Sequence, residues 1–513
     1  MIACRGNSMN ILLINVPSRR GIAGFGVPWG LLYVGSIIER CGHQARIIDP
    51  YLDDIELREF DNGHFFDKID KIIEDYKPSI IGYGGIATSY GRTKQLSLHI
   101  KSKYPKIVQI AGGALASVYE LLLTKTKVDV VFHGEADVSL PIFLRRFEKK
   151  ETIYDILGLS YPLDGRAVRN DPAEQIKDLD EIPFPAYQLI DVSRYLSPVK
   201  NRLEMYEDLL LSDSIISNAR ARVGSRTHYI EIPTSSGCTN RCLFCYRHVR
   251  GVRRHSVDYV TNHIKYIKEK YGVSGFYFYD ELFNSDYGWV MELCDAIEKN
   301  NLDIFYVVPG ARADKVDERM LIRLKETGCI EVDYGQESGS DTILREYRKG
   351  ISSQQNRRIT KLTLDLGMAC CVQLVIGSPK ETTETIYETI QFLKDVDAYK
   401  FSLNYLVPLP ETPIWRYVEE NKLVQDVEEY LDFVAEHGGA PLINLTKEPD
   451  KVWRHWGQIM REELKLYYHK KTKPKTYYIY ALYVYLGNTI PDWIKTSIPK
   501  AIRRVARSIL KMQ

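Results

Sequence analysis

The sequence lacks several features that would set it apart from ordinary globular proteins. Its 513 residues contain no run of 18 apolar residues, so a membrane-spanning helix is not expected. The formal net charge is only +2, which argues against nucleic acid as a partner of the whole chain. Nine cysteines without a recognisable secretion signal favour reduced thiols in the cytoplasm over a disulfide framework. The length suggests about three domains.

The first 150 residues alternate short β-rich runs with helical stretches. The β-rich runs lie at 11–16, 45–48, 79–83, 107–111 and 128–132, and a helix is expected at 30–40. Continuous apolar runs are typical of strands that are buried on both faces. The alternation therefore predicts a doubly wound, Rossmann-like parallel sheet, whose ligands bind beyond the C-terminal ends of the strands.

Glycines cluster at the predicted C-terminal ends of these strands, namely Gly82, Gly84, Gly85, Gly112, Gly113 and Gly134. One interpretation is that they form tight turns between strand and helix. The other is that they let the backbone approach a large flat ligand or a phosphate. Paired glycines by themselves favour the tight turns.

Residues 151–227 are less regular and are expected to form a linker. The segment 182–186 reads Ile-Pro-Phe-Pro-Ala, and its two prolines favour an extended crossing between domains. Residues 199–226 are polar and charged. They are interpreted as a surface loop, in preference to a mobile lid.

A second alternating block spans 228–435. Strands are expected at 229–233, 275–279, 304–308, 330–334, 371–376 and 401–407. Six strand–helix units of roughly 30 residues each fall short of a closed eight-stranded barrel. The block therefore predicts a partial (βα)6 barrel of the TIM type, with catalytic groups at the C-terminal ends of its strands. From about residue 436 the alternation stops, and a mostly helical, aromatic and basic region is expected at 436–513.

The most specific motif is C-x3-C-x2-C, formed by Cys238, Cys242 and Cys245 directly after the first strand of this block. Three thiolates in one short loop can converge on a soft metal centre. A structural zinc site uses four ligands in two pairs, and no second pair is present, because Cys370 and Cys371 are adjacent in a predicted strand. Three thiolates suit a 4Fe–4S cluster with one iron free of protein ligands. Zinc and three unrelated thiols are the disfavoured alternatives.

The motif and the strand ends that follow it resemble the radical S-adenosylmethionine (SAM) enzymes. The matching segments lie at 279–281, 310–314, 335–340, 377–382 and 408–413. The first 150 residues resemble the cobalamin-binding domain that one branch of this family carries, the branch of the class B methylases. The segments 28–31, 42–43, 112–113 and 134–137 lie where that domain has its motifs. The resemblance covers roughly residues 9–420.

The resemblance implies three cofactors: a 4Fe–4S cluster, SAM and cobalamin. The three cysteines would hold the cluster. Residues implied to contact SAM are Phe244, Asp280, Glu281, Arg312, Glu337, Ser338 and Gly377. Among these, Glu337 would bind the ribose hydroxyls, Asp280 and Glu281 the ammonium group, and Arg312 the carboxylate. Residues implied to contact cobalamin are Gly82, Gly84, Gly85, Gly112, Gly113, Gly134 and Glu135.

The N-terminal domain departs from a common cobalamin pattern at one point. None of the 11 histidines lies in a D-x-H-x-x-G motif. We therefore expect no histidine ligand of that kind beneath the cobalt.

The implied reaction is methyl transfer from methylcobalamin to an unactivated carbon of a small molecule, after cleavage of SAM to a 5′-deoxyadenosyl radical. The alternative on the same scaffold is ring closure, oxidation or rearrangement without net methylation. A hypothesis from another class is a non-catalytic iron–sulfur or zinc scaffold. An enzyme of this family needs an external electron donor, such as flavodoxin or ferredoxin.

The sequence pattern at 493–513 predicts an amphipathic basic helix. No acidic residue occurs after Asp492. A helix docked on the protein is favoured over an interfacial helix on anionic lipid, which would give peripheral membrane contact. The tyrosine-rich stretch 477–486 suits an apolar or lipid-like substrate, and it also suits an ordinary core.

Overall fold

The structure is a computed structural model that describes residues 8–18, 26–50, 52, 64–208, 211–398, 400–438 and 440–472, with the single residues 474, 477 and 481. Within these residues no helix has both the length and the apolar character needed to cross a membrane. The predicted tail at 493–513 and most of the tyrosine-rich stretch lie outside the described residues, so their roles stay predictions.

The N-terminal half is built on a seven-stranded sheet with the order β2-β1-β3-β4-β5-β6-β7. Its strands are β1 Asn10–Asn15, β2 Gln44–Ile48, β3 Ile80–Gly84, β4 Val108–Gly112, β5 Val130–Phe132, β6 Leu159–Leu163 and β7 Arg166–Arg169. The first five are parallel, which confirms the predicted doubly wound sheet. The hairpin β6–β7 extends this sheet in antiparallel fashion, from residues that the sequence analysis assigned to the linker.

Helices cover both faces of this sheet. They are α1 Trp29–Arg40, α2 His64–Tyr76, α3 Tyr90–Lys103, α4 Tyr119–Lys125 and α5 Ser139–Lys149. Strand β1 is apolar throughout because it contributes to two buried clusters. Ile11 and Leu13 belong to one cluster, and Leu12 and Ile14 belong to the other. Successive side chains of a strand point to opposite faces, and here both faces are covered.

The second half is built on a curled sheet with the order β16-β15-β14-β13-β12-β9-β8. Its strands are β8 Ser197–Pro198, β9 His228–Ile232, β12 Gly275–Phe278, β13 Phe305–Ala311, β14 Cys329–Glu337, β15 Val372–Ile376 and β16 Phe401–Tyr405; between β9 and β12 lie the short β10 Ser235–Ser236 and β11 Arg253–Arg254. Within the seven-stranded sheet every strand except β8 pairs in parallel with its neighbours, which confirms the six-unit partial barrel. The outer helices are α8 Val257–Tyr271, α9 Tyr287–Lys299, α10 Glu318–Thr327, α11 Asp341–Glu346, α12 Ser353–Asp365 and α13 Thr383–Asp395.

The prediction of a surface loop at 199–226 is wrong, because this segment forms two helices, α6 Val199–Asp208 and α7 Asp213–Val223. Their apolar residues are sparse but recur at helical spacing, and they pack against β13. A buried ion pair fixes α6 further, since its Arg202 pairs with the fully buried Glu331 of β14 (2.6 Å). The charges that suggested a loop therefore serve partly to dock the first helix.

The last described residues form α14 Trp415–Glu420, α15 Val427–His437, α16 Asp450–Trp453 and α17 Trp456–Thr472. Helix α17 packs on α13 through an apolar stripe that includes Trp456, Met460 and Leu464. Helix α15 returns to the N-terminal half, where Leu431 joins the core and Glu428 pairs with Lys94 of α3. The described part of the C-terminal region, which ends at Thr472 apart from three single residues, is mostly helical, as expected, and α15 contacts the N-terminal half.

Candidate active site

A cavity of about 520 Å³ lies between the two sheets. It is bounded by the C-terminal ends of the N-terminal strands on one side and by the ends of β9 and β12 on the other. The residues implied to contact cobalamin all line it: Gly82, Gly84, Gly85, Gly112, Gly113, Gly134 and Glu135. The topology thus gathers seven separate sequence positions around one space, in agreement with the rule for ligand sites in parallel sheets.

The glycines of this wall also serve local packing. A Cβ atom at Gly84 would lie 2.7 Å from Leu31 Cδ2. Gly113 and Gly134 have φ angles of +69° and +71°, in the region that only glycine adopts without strain. The glycines therefore pack tightly at the strand ends and also line the cavity, and their contact with a ligand stays a prediction.

The opposite wall carries the cysteine motif. Strands β10 and β11 form a short antiparallel ribbon, and the loop 237–252 between them contains all three cysteines. Ser235, Ser236 and Gly237 line the cavity. The cavity and the cysteine loop therefore share this ribbon as a common wall.

Two of the three cysteines are brought together. The side chains of Cys242 and Cys245 are hydrogen-bonded, and this bond, with the positive charge of Lys349 nearby, lowers the pKa of Cys242. The sulfur of Cys238 instead accepts hydrogen bonds from the backbone N–H and the side-chain amide of Asn240 (3.5 and 3.3 Å). Among the described residues, no three Cys, His, Asp or Glu side chains form a set of metal ligands. The loop thus places three thiols on one short segment and pairs two of them.

A group of charged residues lies beside Cys242 at the ends of β13 and β14. Lys349 forms a buried ion pair with Glu337 (2.7 Å). Arg312 holds Asp314 with two hydrogen bonds (2.8 and 3.0 Å), while its third nitrogen, Nη1, is buried without a partner. Because a buried donor without a partner is costly, the free Nη1 marks a place for an acceptor.

The backbone of Glu337 is unusual for a residue with a side chain. Its φ angle is +63°, and the pairing of β14 with β15 shifts register between Gly335 and Glu337. Such strained bulges redirect a side chain at the end of a strand and are common at functional sites. Here the bulge aims the carboxylate at Lys349.

Asp280 and Glu281, two further predicted SAM contacts, follow strand β12 and face different surroundings. Asp280 accepts hydrogen bonds from the backbone N–H groups of Thr234 and Ser235 (2.7 and 2.8 Å), which ties the end of β12 to the segment before the cysteines. Burial raises the pKa of Asp280. Glu281 lines the cavity between the sheets, on the side of the predicted cobalamin contacts.

Phe244 and Ser338 pack within the protein. The ring of Phe244 meets the edge of Tyr347 at 5.1 Å, and Ser338 forms a hydrogen bond with Thr389 (3.0 Å). Gly377 has a φ angle of +97°, and its N–H donates to the buried Glu381. These three residues therefore shape the barrel mouth through its turns.

Several residues of the cavity wall were not named individually as site residues by the sequence, although Trp29 and Tyr279 lie in segments that it matched to family motifs. Trp29 and Tyr33 of α1, His248 and His255 around the cysteine loop, and Tyr279 at the end of β12 all line the cavity. Tyr279 is 57% exposed, which is unusual for so large a side chain at a strand end. Its position beside Asp280 and Glu281 was a usable signal, because residues at strand ends of such barrels face the ligand.

Two protein-family models match the chain. Residues 20–144 match the B12 binding domain, and residues 232–393 match the radical SAM superfamily. The chain is a radical SAM protein with an N-terminal B12-binding domain.

Relatives of this radical SAM protein extend over most of its length. An uncharacterised methyltransferase of Pyrococcus horikoshii is 27% identical over 425 residues, which is 81% of this chain and 84% of the relative. The anaerobic magnesium-protoporphyrin IX monomethyl ester cyclase of Rubrivivax gelatinosus is 22% identical over 435 residues, 82% of this chain and 72% of the relative. The structure of the radical SAM methyltransferase TsrM from Kitasatospora setae, with cobalamin and a 4Fe–4S cluster bound, has a TM-score of 0.65 at 16% identity and covers 90% of this chain and 89% of its own. That likeness shows a shared fold.

Radical SAM and B12-binding domains bring three cofactors, a 4Fe–4S cluster, SAM and cobalamin, and the residues present fit them. Three thiols lie on one loop, which is the donor set that an iron–sulfur cluster needs. The unpartnered Arg312 Nη1 nearby offers a donor to an anionic group such as a carboxylate. The glycine-lined strand ends leave a cavity open for a large flat ligand.

Proposed function

We propose that this radical SAM protein methylates an unactivated carbon of a small molecule with the help of cobalamin. The observation that carries this proposal is the ribbon β10–β11, which is at once a wall of the glycine-lined cavity and the base of the cysteine loop. A methyl donor in the cavity and a radical source on the loop would then be neighbours. Holding reacting groups side by side is a large part of what a protein adds to cofactor chemistry.

When bound, the cluster with SAM supplies a 5′-deoxyadenosyl radical, and cobalamin supplies a transferable methyl group. In our proposal Cys238, Cys242 and Cys245 hold the cluster. The free Nη1 of Arg312 binds the carboxylate of SAM, since it is a buried donor beside the loop. The pair of Glu337 and Lys349 presents a fixed carboxylate to the ribose hydroxyls.

We assign positioning roles to residues whose polar atoms are already engaged. Asp280 binds the backbone of Thr234 and Ser235 and so fixes the start of the cysteine-bearing segment. Glu135 accepts a hydrogen bond from Ser236 Oγ (2.6 Å) and pairs with Arg253, so it fixes the ribbon against the cavity. In this proposal the glycines of the N-terminal strand ends would hold cobalamin in the cavity that they line.

A second candidate is a ring closure or oxidation without net methylation. The extended similarity to an anaerobic cyclase favours it, because that relative aligns with 82% of this chain and is not a methyltransferase by name. Both reactions would use the same cluster loop and the same SAM site. They differ in the mass of the product.

The experiment that separates them uses anaerobic protein reconstituted with iron, sulfide and cobalamin, and SAM carrying a deuterated methyl group. Incubation with a metabolite extract and a chemical reductant is followed by mass spectrometry. Methylation predicts a product in which one CD3 group has replaced one hydrogen, together with 5′-deoxyadenosine. Ring closure or oxidation predicts 5′-deoxyadenosine and a product without the label.

The matched control is the variant Cys242→Ala, which should form neither product. A wild-type protein that is fully loaded with cluster and reductant, yet never cleaves SAM, would contradict both catalytic proposals. It would support a non-catalytic iron–sulfur scaffold instead.

A further inference from the structure

The cysteine loop is unusually basic. Between Glu231 and Asp258 there is no acidic residue, and the loop with its flanking ribbon contains five arginines. Two of them point inward. Arg253 pairs with Glu135, and Arg254 donates to the carbonyl of Leu282 (2.8 Å) and stacks on Trp289. These two are accounted for by their contacts within the protein.

The other three arginines, Arg241, Arg247 and Arg250, are exposed to solvent. Arg348 is also exposed and is next to Tyr347, whose carbonyl accepts a hydrogen bond from the N–H of Leu243 (3.0 Å). None of the ion pairs formed by the described residues includes any of these four. We call these four residues the arginine collar.

The collar adjoins the cluster ligands directly. Arg241 precedes Cys242 in the chain, and Arg247 donates a hydrogen bond to the carbonyl of Asn240 (3.4 Å), whose own N–H groups donate to the sulfur of Cys238. A local patch of positive charge in a chain with a net charge of only +2 needs a local explanation. It does not indicate general affinity for polyanions.

We propose that the arginine collar is the docking surface for an acidic electron-transfer protein. This inference rests on the proposed function, in which the cluster must gain one electron before each cleavage of SAM. The donor, a reduced flavin or iron–sulfur protein with an acidic surface, is oxidised by one electron and the cluster is reduced by one. Opposite charges on two protein surfaces raise the rate of encounter and set the orientation, and salt weakens both effects.

The test compares two electron donors on the same reconstituted protein. One is reduced flavodoxin, an acidic protein, and the other is photoreduced deazariboflavin, a small uncharged molecule. The test variant is Arg241→Glu with Arg250→Glu. Arg247 is left unchanged because it contacts Asn240. The readouts are the rate of cluster reduction, followed by absorbance and electron paramagnetic resonance, and the rate of 5′-deoxyadenosine formation.

The expected result is that flavodoxin-driven reduction at low salt falls about tenfold or more, while deazariboflavin-driven reduction is unchanged. The conservative variant Arg241→Lys with Arg250→Lys should stay close to wild type. The control Lys270→Glu with Lys299→Glu makes the same change in net charge at the C-terminal ends of α8 and α9, at the far end of the barrel, and should have little effect.

The ratio of the two rates decides the outcome even if the variant is less stable or holds less cluster. An unchanged ratio of flavodoxin to deazariboflavin rates overturns the proposal, and so does an equal fall of that ratio in the control. A collar that binds single-stranded nucleic acid, with no change in the ratio on charge reversal, also overturns it. If the wild type forms no 5′-deoxyadenosine with either donor, the proposed function has failed, and this result is distinguishable from failure of the docking surface.

Discussion

Glu135 and Arg253 form an ion pair that joins the two domains at the wall of the cavity. Both side chains are largely buried, with 16% and 14% of their surface exposed. Glu135 follows the glycine turn after β5, and Arg253 lies on the ribbon that carries the cysteine loop. One carboxylate therefore connects the predicted corrin site to the base of the predicted cluster site.

We expect Glu135→Gln to destabilise the protein by on the order of 3 kcal/mol, because removing one partner of a buried pair leaves the other charge uncompensated. The free energy of unfolding from denaturant titration measures this. The matched control is Asp155→Asn, which breaks an ion pair whose carboxylate is 64% exposed and should cost less than about 1 kcal/mol. Equal effects of the two substitutions would mean that the Glu135–Arg253 pair is not a special contact.

The three loop cysteines are expected to be required together. Replacing Cys238, Cys242 or Cys245 singly with Ala should abolish stable binding of about four irons per chain, since each supplies one thiolate. Iron and sulfide analysis of anaerobic protein measures this. The control is Cys294→Ala in the core of α9, which should keep its iron. A loop variant that retains a full cluster would show that this cysteine is not a ligand.

Filling the cavity should block cobalamin without disturbing the sheets. Ala136 lines the cavity and is half-buried, so Ala136→Phe adds bulk there at a position that needs no special backbone conformation. We expect less than a tenth of the wild-type cobalamin to stay bound after gel filtration, read from its visible absorbance. Ala296→Phe on α9, outside the residues lining the cavity, is the control. Full retention of cobalamin by Ala136→Phe would mean that cobalamin does not bind in this cavity.

A buried histidine predicts loss of stability in acid. His263 of α8 is hydrogen-bonded to Tyr187 (2.6 Å) and packs against Phe184 and Trp29, and burial lowers its pKa to about 3. Below pH 6.5 the unfolded chain gains a proton at this residue that the folded protein does not accept. Stability should therefore fall from pH 6.5 towards pH 3, by at most about 1.4 kcal/mol per pH unit from this residue.

The variant His263→Gln isolates this contribution, because glutamine can keep a hydrogen bond to Tyr187 but does not titrate. Its free energy of unfolding should depend less on pH than that of the wild type between pH 6.5 and 4. Burial also lowers the pKa values of the other buried histidines of the described residues, His43, His133 and His255. These three are present in both proteins, so their contributions cancel. If the free energy of unfolding depended on pH equally in the two proteins, His263 would not be a buried histidine that stays neutral in the folded protein.

Much of the fold followed from local patterns in the sequence. The five apolar runs of the N-terminal half were recognisable because strands buried on both faces contain few polar residues, as β1 shows. The spacing of Cys238, Cys242 and Cys245 indicated a metal-binding loop because three thiols on one short loop can converge on a single metal centre. The apolar runs and the cysteine spacing are both patterns of neighbouring residues, so they can be recognised in a single sequence.

The remaining features depend on contacts between distant segments. Helix α6 was missed because its Arg202 docks on Glu331, more than 100 residues away in the chain, and α7 because its sparse apolar residues pack against the distant strand β13. The roles of Asp280 and Glu135 likewise depended on which partner the fold brings within hydrogen-bond distance, Thr234 for one and Arg253 for the other. The sequence by itself determined which chemical groups are present and on which strands and loops they lie. Only the tertiary structure decided that the cavity and the cysteine loop share a wall, because packing one sheet against another is a long-range event that no local pattern encodes.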